Sequence, residues 1–397
     1  MISVAEALER MLTTATTLPE CEVELASALG CVLARDIASD IDSPPWDKSL
    51  VDGYAVRAAD VQREGVELTI LEEVTAGTTP TRAVEPGTCT RIMTGAPLPA
   101  GADAVVMIER SELVEPSRVR LLTTAKPEQN LLRRAASMQH GQVVLKAGQA
   151  IRPIEIGVLA EVGRASAPVI RAPRVAILST GDELVEAAHM PAAGQIRNSN
   201  GPMLAALVTA AGAEAIELGI ARDNADDLRT KMARGLEADV LILSGGVSAG
   251  VLDLVPQTLT SLGVREVFHK VNLKPGKPIW FGAGPRTNLV FGLPGNPVST
   301  LVCFGLFVKP SLAKLAGKRD VAQSRRAVLT QAFVQRDGRP TYFPALLARD
   351  GQRDTVTPLA WRGSADLRTL ADANCLAYFP GGERTFAADE EMETFLL

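Results

Sequence analysis

The 397-residue chain has few of the residues that build zinc sites and none of the basic tracts that mark nucleic-acid surfaces. Its three histidines are far apart and its five cysteines lack metal-ligand spacing, which argues against a zinc centre. Such cysteines are typical of reduced thiols in a reducing compartment. Lysine and arginine are dispersed and the formal net charge is −5, so we expect no nucleic-acid partner.

Aromatic residues make up only 4% of the chain, so Val, Leu, Ile and Ala must fill the core. The N-terminus also lacks the apolar run of a signal peptide, because Glu6, Glu9 and Arg10 interrupt it. Ser3 together with Glu6 instead predicts a capping box that opens a helix over about 3–16. We therefore expect a cytoplasmic protein.

Residues 289–308 form an uncharged stretch of membrane-spanning length. Glycines and prolines between positions 292 and 297 interrupt this stretch, which predicts two elements joined by a turn. We therefore expect a soluble chain without a membrane segment.

The hydrophobic pattern predicts a multidomain α/β plus β fold. Short strands separated by Gly and Pro predict a small β-rich domain over 46–139. Buried apolar runs alternate with helical patterns over 172–319, which predicts a central α/β domain with a mostly parallel sheet. Strand-like alternation returns over 320–397 and predicts a C-terminal β domain.

Three loops rich in Gly and polar residues follow predicted strands of the α/β domain, where such sheets bind ligands. Their sequences are "STGDEL", "SGGVSAG" and "GLPGNPVS". Successive glycines let backbone amides close around an anion. The candidate substrate-binding residues of these loops are Ser179, Thr180, Gly181, Ser244, Gly245, Gly246, Ser248, Pro294, Gly295, Asn296 and Ser299.

Three carboxylates, Glu183, Asp223 and Asp253, fall at or just after predicted strand ends. Mg²⁺ typically uses one or two carboxylates together with substrate phosphates, so these residues are candidate metal ligands. Capping of the next helix is an equal alternative for Asp223, which precedes Asn224, and is an alternative for Asp253 as well.

The segment "HKVNLKPGKPIWFG" supplies Lys270, Lys274 and Lys277. Lys274 and Lys277 flank a Pro-Gly turn, so both ammonium groups can point into one small space. A joint role in anion binding is therefore favoured over scattered surface lysines.

The motifs "SLVDGYAVR", "RIMTGAPLPAGADAVVMIE", "STGDEL", "IRNSNGPML", "LSGGVSAG", "KPGKP" and "GLPGNPVS" occur in this order. Together they resemble the motif series of the MoeA/gephyrin E-domain family, and the resemblance covers nearly the whole chain. It implies a fourth, elongated N-terminal domain built from two separate stretches, 1–45 and 140–171, with the β-rich domain inserted between them. It likewise implies that the α/β domain binds molybdopterin. It also implies a homodimer whose active site is shared between subunits, with Asp52 and Thr94 facing the α/β domain of the partner.

The resemblance further implies that the protein inserts molybdenum from molybdate into adenylylated molybdopterin and releases AMP, with Mg²⁺ as cofactor. Asp52, Thr94, Glu183, Asp223 and Asp253 match the family's catalytic acidic and polar positions. The candidates for holding molybdate are Lys274, Lys277, Ser299, Arg339 and Ser364, and Lys270 completes the basic set. Other proteins of cofactor synthesis are expected partners.

Besides the related adenylyltransferase, whose single domain resembles residues 172–320 only, two other classes of function are open to the same sequence. "GVSAG" fits the nucleophile motif of a serine hydrolase, with Ser248 as nucleophile and His269 as the single histidine downstream. A non-catalytic scaffold of the same family is the second alternative, since a fold alone does not establish catalysis. The retained carboxylates and lysines favour the enzyme over both.

Overall fold

The structure is a computed structural model that describes residues 1–246, 254–318 and 324–397. Contacts divide the chain into two compact units. Unit 1 comprises Met1–Val23, Ala28–Ala34 and Pro168–Leu397, and unit 2 comprises Glu24–Ser27 and Arg35–Ala167. Each unit has a hydrophobic core made of its own residues.

The first helix of unit 1, α1 (Val4–Thr14), begins where the sequence predicts it. The Ser3 hydroxyl accepts a hydrogen bond from the Glu6 backbone N–H at 3.1 Å, which satisfies one free donor of the first turn. The Glu6 carboxylate pairs with Arg10 at 2.6 Å. It therefore does not return a hydrogen bond to the Ser3 backbone, as the predicted capping box would require.

Unit 2 is built on a six-stranded sheet and also contains the helix α2 (Pro153–Glu161). The strands are β1 (Gly53–Val56), β2 (Val66–Val74), β3 (Thr88–Ile92), β4 (Ala104–Met107), β5 (Ser111–Glu115) and β6 (Arg118–Leu121), in the spatial order β4-β1-β3-β2-β6-β5. A Cβ added at Gly53 would lie 2.0 Å from the Val106 carbonyl oxygen on β4. Glycine is therefore required where β1 pairs with β4.

The central part of unit 1 is a six-stranded mixed sheet. Its strands are β7 (Arg174–Thr180), β8 (Glu214–Ala221), β9 (Val240–Ser244), β10 (Arg265–His269), β11 (Trp280–Ala283) and β12 (Leu289–Leu293). The spatial order is β8-β7-β9-β12-β11-β10. The first four strands of that order run parallel to one another. At one edge β11 pairs antiparallel with β12, and β10 pairs antiparallel with β11. The carboxyl ends of β7, β9 and β12 therefore lie side by side.

Helices connect and cover these strands. They are α3 (Asn200–Ala210), α4 (Ala225–Gly235), α5 (Leu254–Ser261), α6 (Pro297–Cys303) and α7 (Lys309–Leu315), with a π-helical turn at Phe304–Val308 between the last two. The buried faces of β7, β9 and β12 pack on α3 and α6 on one side and on α4 and α5 on the other. This arrangement confirms the predicted α/β character with a largely parallel sheet.

The predicted break in the apolar stretch after position 289 is confirmed, because β12 ends at Leu293 and α6 begins at Pro297. The continuous helix Pro297–Leu315 has 19 residues and is long and apolar enough to cross a membrane. However, 78% of its most apolar window is buried inside the structure. Its apolar side chains therefore belong to the core of unit 1.

The C-terminal part of unit 1 is a closed five-stranded barrel, as the predicted β domain requires. Its strands are β13 (Ser324–Leu329), β14 (Thr341–Asp350), β15 (Arg353–Pro358), β16 (Cys375–Phe379) and β17 (Glu391–Leu396). A two-stranded antiparallel sheet and a helix complete the C-terminal part. The sheet pairs Phe333–Gln335 with Arg384–Phe386, and the helix is α8 (Leu367–Asp372). Stacked Phe333 and Phe379 rings, with centroids 3.8 Å apart, join that pair to the barrel core.

Short strands and 3-10 turns fill the remaining connections. The strands are Glu20–Glu24, Ile37–Ala38, Lys48–Ser49, Leu131–Leu132, Val143–Leu145, Ser166–Ile170, Leu184–Val185 and Ile196–Arg197. The 3-10 turns are Leu25–Ser27, Ala58–Asp60 and Ile108–Arg110.

Candidate functional site

A cavity of about 700 Å³ opens at the carboxyl ends of β7, β9 and β12 in unit 1. All three predicted Gly-rich loops contribute to its wall, as expected for ligand sites of open α/β sheets. The predicted site residues that line it are Thr180, Gly181, Glu183, Asp223, Ser244, Gly245, Gly246, Pro294, Gly295 and Asn296. Ser248 and Asp253, which belong to the second loop and its continuation, lie outside the described residues.

The second loop depends on two glycines for its close approach to the first. Gly245 and Gly246 have φ angles of +96° and +62°, which L side chains rarely adopt. A Cβ on Gly245 would lie 2.6 Å from the Thr180 carbonyl oxygen. Side chains at these positions would therefore separate the two loops and fill the cavity.

A network of amide side chains forms the inner wall of the cavity. The Asn200 amide nitrogen donates to the Ser244 hydroxyl at 2.9 Å and to the Gly295 carbonyl at 2.7 Å. The Asn198 carbonyl oxygen accepts hydrogen bonds from the Ser179 hydroxyl and from the Gly201 N–H, both at 3.0 Å. This network connects the start of α3 to the carboxyl ends of β7 and β9 and to the loop after β12. It also buries Ser179, which fixes the wall instead of facing the cavity.

The predicted carboxylates Glu183 and Asp223 both line the cavity. Burial is the first cause that raises the pKa of Asp223, and the negative charges of Asp182 and Glu183 raise it further. The carboxylate of Glu183 folds back over Gly181, where an added Cβ would lie 2.5 Å from it. Two acidic side chains thus meet at one rim, as a cation site requires.

The structure decides between the two interpretations of Asp223. Helix α4 is capped by Asn224, whose side-chain oxygen accepts a hydrogen bond from the Asp227 N–H at 2.9 Å. Asp223 is therefore not the capping residue. Its backbone N–H donates to the Asp182 carboxylate at 3.1 Å, which orients the start of the segment towards the first loop.

Only part of the predicted metal-binding set can be located. Within residues 1–246, 254–318 and 324–397, no three His, Cys, Asp or Glu side chains are grouped closely enough to hold a metal ion. The third predicted ligand, Asp253, is outside these ranges. The described part of the site therefore supplies two of the three expected carboxylates.

The basic residues gather around an acidic residue that the sequence did not predict. The Lys274 ammonium lies 3.2 Å from an Asp337 carboxylate oxygen. Arg339 grips the same carboxylate with its Nε and Nη2 atoms, both at 3.0 Å. These contacts, with the Arg339 hydrogen bonds as the largest cause, hold the pKa of Asp337 well below its usual range. Lys274 and Arg339 are thus brought together, as predicted, but share their charge with Asp337.

The other predicted anion-binding residues have less direct positions. Neither Lys270 nor Lys277 is among the residues that line the cavity, and the same holds for Lys274 and Arg339, although Pro278, which follows Lys277, does line it. Ser299 is buried in α6. Ser364 accepts a hydrogen bond from the Asn296 amide at 2.9 Å, which connects the C-terminal part of the chain to the third loop.

In unit 2, the predicted residues Asp52 and Thr94 form one group. The Asp52 carboxylate accepts hydrogen bonds from the Thr94 hydroxyl at 2.6 Å and from the Thr94 backbone N–H at 2.7 Å. Both lower the pKa of Asp52, and the hydroxyl contributes most. Asp52 is therefore held ionised and fixed in direction at neutral pH.

Three family models together match most of the chain. The MoeA N-terminal region matches residues 2–163, a probable molybdopterin binding domain matches 176–314, and the MoeA C-terminal region matches 326–397. The chain belongs to the MoeA family.

Full-length relatives agree with this assignment. A molybdopterin molybdenumtransferase of Staphylococcus aureus is 35% identical, with 100% of this chain and 95% of the relative covered. The enzyme of the same description from Nostoc sp. is 39% identical, with 93% and 87% covered. A crystal structure of a MoeA protein from Pyrococcus horikosii has a TM-score of 0.86 and 31% identity, and the match covers 100% and 99% of the two chains. This MoeA family member is therefore an enzyme of molybdenum-cofactor biosynthesis.

Sequence reasoning missed three residues of the MoeA site. Asn198 and Asn200 belong to the motif "IRNSNGPML" but were not among the predicted site residues, although both line the cavity. Two asparagines close together in one of the quoted motifs were the signal for a role in the site. Asp337 lies two residues before Arg339, and an acidic residue beside a predicted anion ligand was the signal there.

Proposed function

We propose that this MoeA family member inserts molybdenum from molybdate into adenylylated molybdopterin and releases AMP. The observation that carries the proposal is the single cavity in which three strand-end loops, Glu183 and Asp223 meet. A pocket of about 700 Å³ is of the size that holds a cofactor-sized ligand. The matching molybdopterin-binding model spans the same strands and loops.

The chemistry of the proposed reaction is mainly charge control. Cleavage of a pyrophosphate link depends on positioning and on neutralising the phosphate oxygens. The Gly246 backbone amide lies in a conformation that can face an anion without Cβ obstruction, whereas the Gly245 N–H already donates to the Leu293 carbonyl oxygen at 3.0 Å. We assign Gly246 and Ser244 to the phosphate groups, so that AMP leaves when the link is hydrolysed and the dithiolene sulfurs take up molybdenum.

The carboxylate pair fits a divalent cation, because burial and then the negative charges of Asp182 and Glu183 raise the pKa of Asp223, and a cation would stabilise its ionised form. We assign Glu183, Asp223 and Asp253 as the residues that would hold Mg²⁺. When bound there, Mg²⁺ would neutralise phosphate oxygens of the pyrophosphate link. Glu183 and Asp223 themselves place two carboxylates in the wall of the cavity.

We assign molybdate to the basic residues that gather around Asp337. Lys274 and Arg339 converge on one carboxylate in the structure, and donors that converge on a carboxylate can also converge on an oxyanion. Lys277, Ser299 and Ser364 complete the proposed site. Lys270, at the start of the same segment, adds positive charge.

We also propose a cytoplasmic homodimer in which Asp52 and Thr94 of one subunit complete the site of the other. Other proteins of cofactor synthesis would supply the adenylylated substrate and receive the product. The pair is ready for such a role, because Thr94 fixes the direction of the Asp52 carboxylate.

The reaction is tested by incubating the purified protein with adenylylated molybdopterin, Mg²⁺ and molybdate. We expect AMP release together with a product that activates a molybdenum-free apoenzyme. Omission of molybdate should prevent formation of that product. Absence of both AMP and active cofactor in the complete mixture would refute the proposal.

The shared site is tested by mixing subunits that carry Asp52→Ala with subunits that carry Glu183→Ala. In a symmetric dimer with sites built across the interface, one site of each mixed dimer has neither change. Random exchange should then restore about a quarter of wild-type activity. If both residues act within one chain, the mixture stays inactive, and the shared site is wrong.

The serine-hydrolase alternative depends on Ser248, which is outside the described residues, and on His269, which is not among the residues lining the cavity. Labelling with a serine-directed fluorophosphonate separates it from the proposed reaction. We expect no labelling at Ser248. Stoichiometric labelling that abolishes activity would favour the hydrolase.

A further inference from the structure

Two buried polar atoms of the cavity wall have no hydrogen-bond partner within the described ranges. They are the side-chain carbonyl oxygen of Asn200 and the hydroxyl oxygen of Thr180. Asn200 is 8% exposed and Thr180 is 3% exposed, and both residues line the cavity. Buried polar atoms are normally paired, so these two are candidates for contacts that a bound ligand completes.

The orientation of the Asn200 amide is fixed by its neighbours. Its nitrogen donates to the Gly295 carbonyl oxygen at 2.7 Å, and a carbonyl oxygen can only accept. Exchange of the amide nitrogen and oxygen would therefore place two acceptors against each other. The atom left without a partner is thus the oxygen, which requires an N–H or O–H donor.

The Thr180 hydroxyl faces the two glycines of the second loop. A Cβ on Gly246 would lie 2.8 Å from this hydroxyl oxygen, and a Cβ on Gly245 would lie 3.1 Å from it. The glycines thus keep side chains of the second loop away from a hydroxyl that is buried and without a partner in the described part of the free protein. A ligand that reaches this hydroxyl therefore has only the backbone of the second loop to displace.

We infer that Asn200 and Thr180 bind the N–H-bearing edge of the pterin ring of molybdopterin. This inference rests on the proposed function and adds the direction in which the substrate enters. Phosphate and molybdate oxygens are acceptors at neutral pH, so they cannot satisfy the Asn200 oxygen. The amino group and ring N–H of a pterin are donors, and Thr180 can complement a neighbouring acceptor or donor.

The adenosine half of the substrate also carries donors, in its amino group and ribose hydroxyls. The pterin is favoured because both residues belong to the segment that matches the molybdopterin-binding model, residues 176–314. It follows that the pterin lies at the inner wall near Asn200. The phosphates then extend towards the glycine loop and the carboxylates.

The test uses Thr180→Val, which removes the hydroxyl but keeps the shape of the side chain. Because the hydroxyl has no partner in the free protein, folding should not suffer, and the unfolding midpoint should stay equal or rise. Affinity for molybdopterin, followed by its fluorescence in an equilibrium titration, should fall on the order of tenfold. Affinities for AMP and for inorganic phosphate should stay unchanged.

The chain offers a matched control in Thr90→Val. The Thr90 hydroxyl is also fully buried and without a partner in the described part of the chain, but it lies in β3 of unit 2. The control should share the effect on the unfolding midpoint and leave molybdopterin affinity unchanged. Asn200→Ala is the second variant, with a loss of molybdopterin affinity at least as large and a lower midpoint, since Gly295 loses its donor.

Several outcomes decide the matter. Wild-type affinity for molybdopterin in Thr180→Val would overturn the inference, and so would a loss of AMP affinity in place of molybdopterin affinity. A uniform loss for all three probes would also overturn it, because it would indicate general damage to the cavity. If the wild-type protein fails to bind molybdopterin at all, the proposed function itself is wrong and the pterin assignment falls with it.

Discussion

The acidic rim and the basic cluster of unit 1 handle their charge in opposite ways. At the rim, Asp182, Glu183 and Asp223 lie close together, and in the described ranges none of them forms an ion pair. The pKa of Asp223 is accordingly raised, first by burial and then by its acidic neighbours. The negative charge of the rim is therefore uncompensated within the described ranges, and the cation that we propose would neutralise it.

The basic cluster is compensated within the protein. Lys274 and Arg339 share the Asp337 carboxylate, whose pKa is lowered by them. An oxyanion that binds there must compete with Asp337 for the same donors. In the described ranges the acidic rim therefore has no cation paired with it, whereas the basic cluster already has an anion, Asp337, paired with it.

The largest effect should come from removing a rim carboxylate. Glu183→Ala should lower turnover on the order of 100-fold or more, because it removes a proposed ligand of the cation that would neutralise the reacting phosphates. The control is Asp226→Asn, an exposed carboxylate in the first turn of α4, which should keep its activity. Steady-state AMP release measures both, and size-exclusion chromatography should show the same assembly state. Normal turnover in Glu183→Ala would contradict the role of the rim.

The next largest effect concerns the substitute anion. Asp337→Asn should lower the free energy of unfolding at pH 7 by about 1–3 kcal/mol, since two cations lose a charged partner. Urea titration measures this loss. The folded-state pKa of Asp337 lies below its unfolded value, so its contribution is present above the unfolded pKa and is lost as pH falls through the folded one. The difference from wild type should therefore shrink on acidification below about pH 4.

Asp239→Asn provides the matched control for that variant. Asp239 binds Arg171 in a two-point pair at 2.7 and 2.8 Å in the same unit, and it does not line the cavity. Both variants should lose stability. Only Asp337→Asn should gain more stabilisation from added molybdate than wild type does. Equal gains in all three proteins would show that Asp337 does not compete with the oxyanion.

A smaller effect is expected for Asp223→Asn. Because the folded-state pKa of Asp223 is raised, ionisation at neutral pH costs stability, and that cost disappears as pH falls through the folded pKa. The variant should therefore have a higher unfolding midpoint than wild type at pH 7 without metal. It should also lose most of the stabilisation that Mg²⁺ gives to wild type. A lower midpoint, or an unchanged response to Mg²⁺, would argue against a cation at the rim.

The smallest effect should come from Ser364→Ala. Its hydroxyl accepts one partly exposed hydrogen bond from Asn296, so a loss of about 0.5 kcal/mol is expected. The KM for molybdate should rise a few-fold if this bond positions Ser364 beside the oxyanion. An unchanged KM would remove Ser364 from the proposed site.

Much of the fold could be predicted from the sequence because its signals are local. Alternation of apolar runs and helical patterns predicted the α/β sheet, and Ser3 predicted the start of α1. The antiparallel edge formed by β10 and β11 was less accessible, since strand direction depends on pairing between distant segments. Glycine pairs predicted the loops of the cavity for a physical reason, as positive φ angles and close approach leave few other choices.

The parts of the site that escaped prediction depend on contacts between distant segments. Helix capping was an equal alternative to metal binding for Asp223, and only the hydrogen bond from the Asp227 N–H to the Asn224 side chain excludes capping. Asp337 is one acidic residue among many in the sequence. Its role follows from its ion pair with Lys274, which is distant in the sequence. The unpartnered oxygen of Asn200 is likewise visible only when all of its neighbours are known.

The most direct test of the central claim is a crystal structure of the protein with adenylylated molybdopterin. We predict that the ligand occupies the cavity lined by Thr180, Gly245 and Asn296, with its pterin ring at Asn200 and its pyrophosphate beside Glu183 and Asp223. A ligand bound elsewhere, with this cavity left empty, would contradict the account.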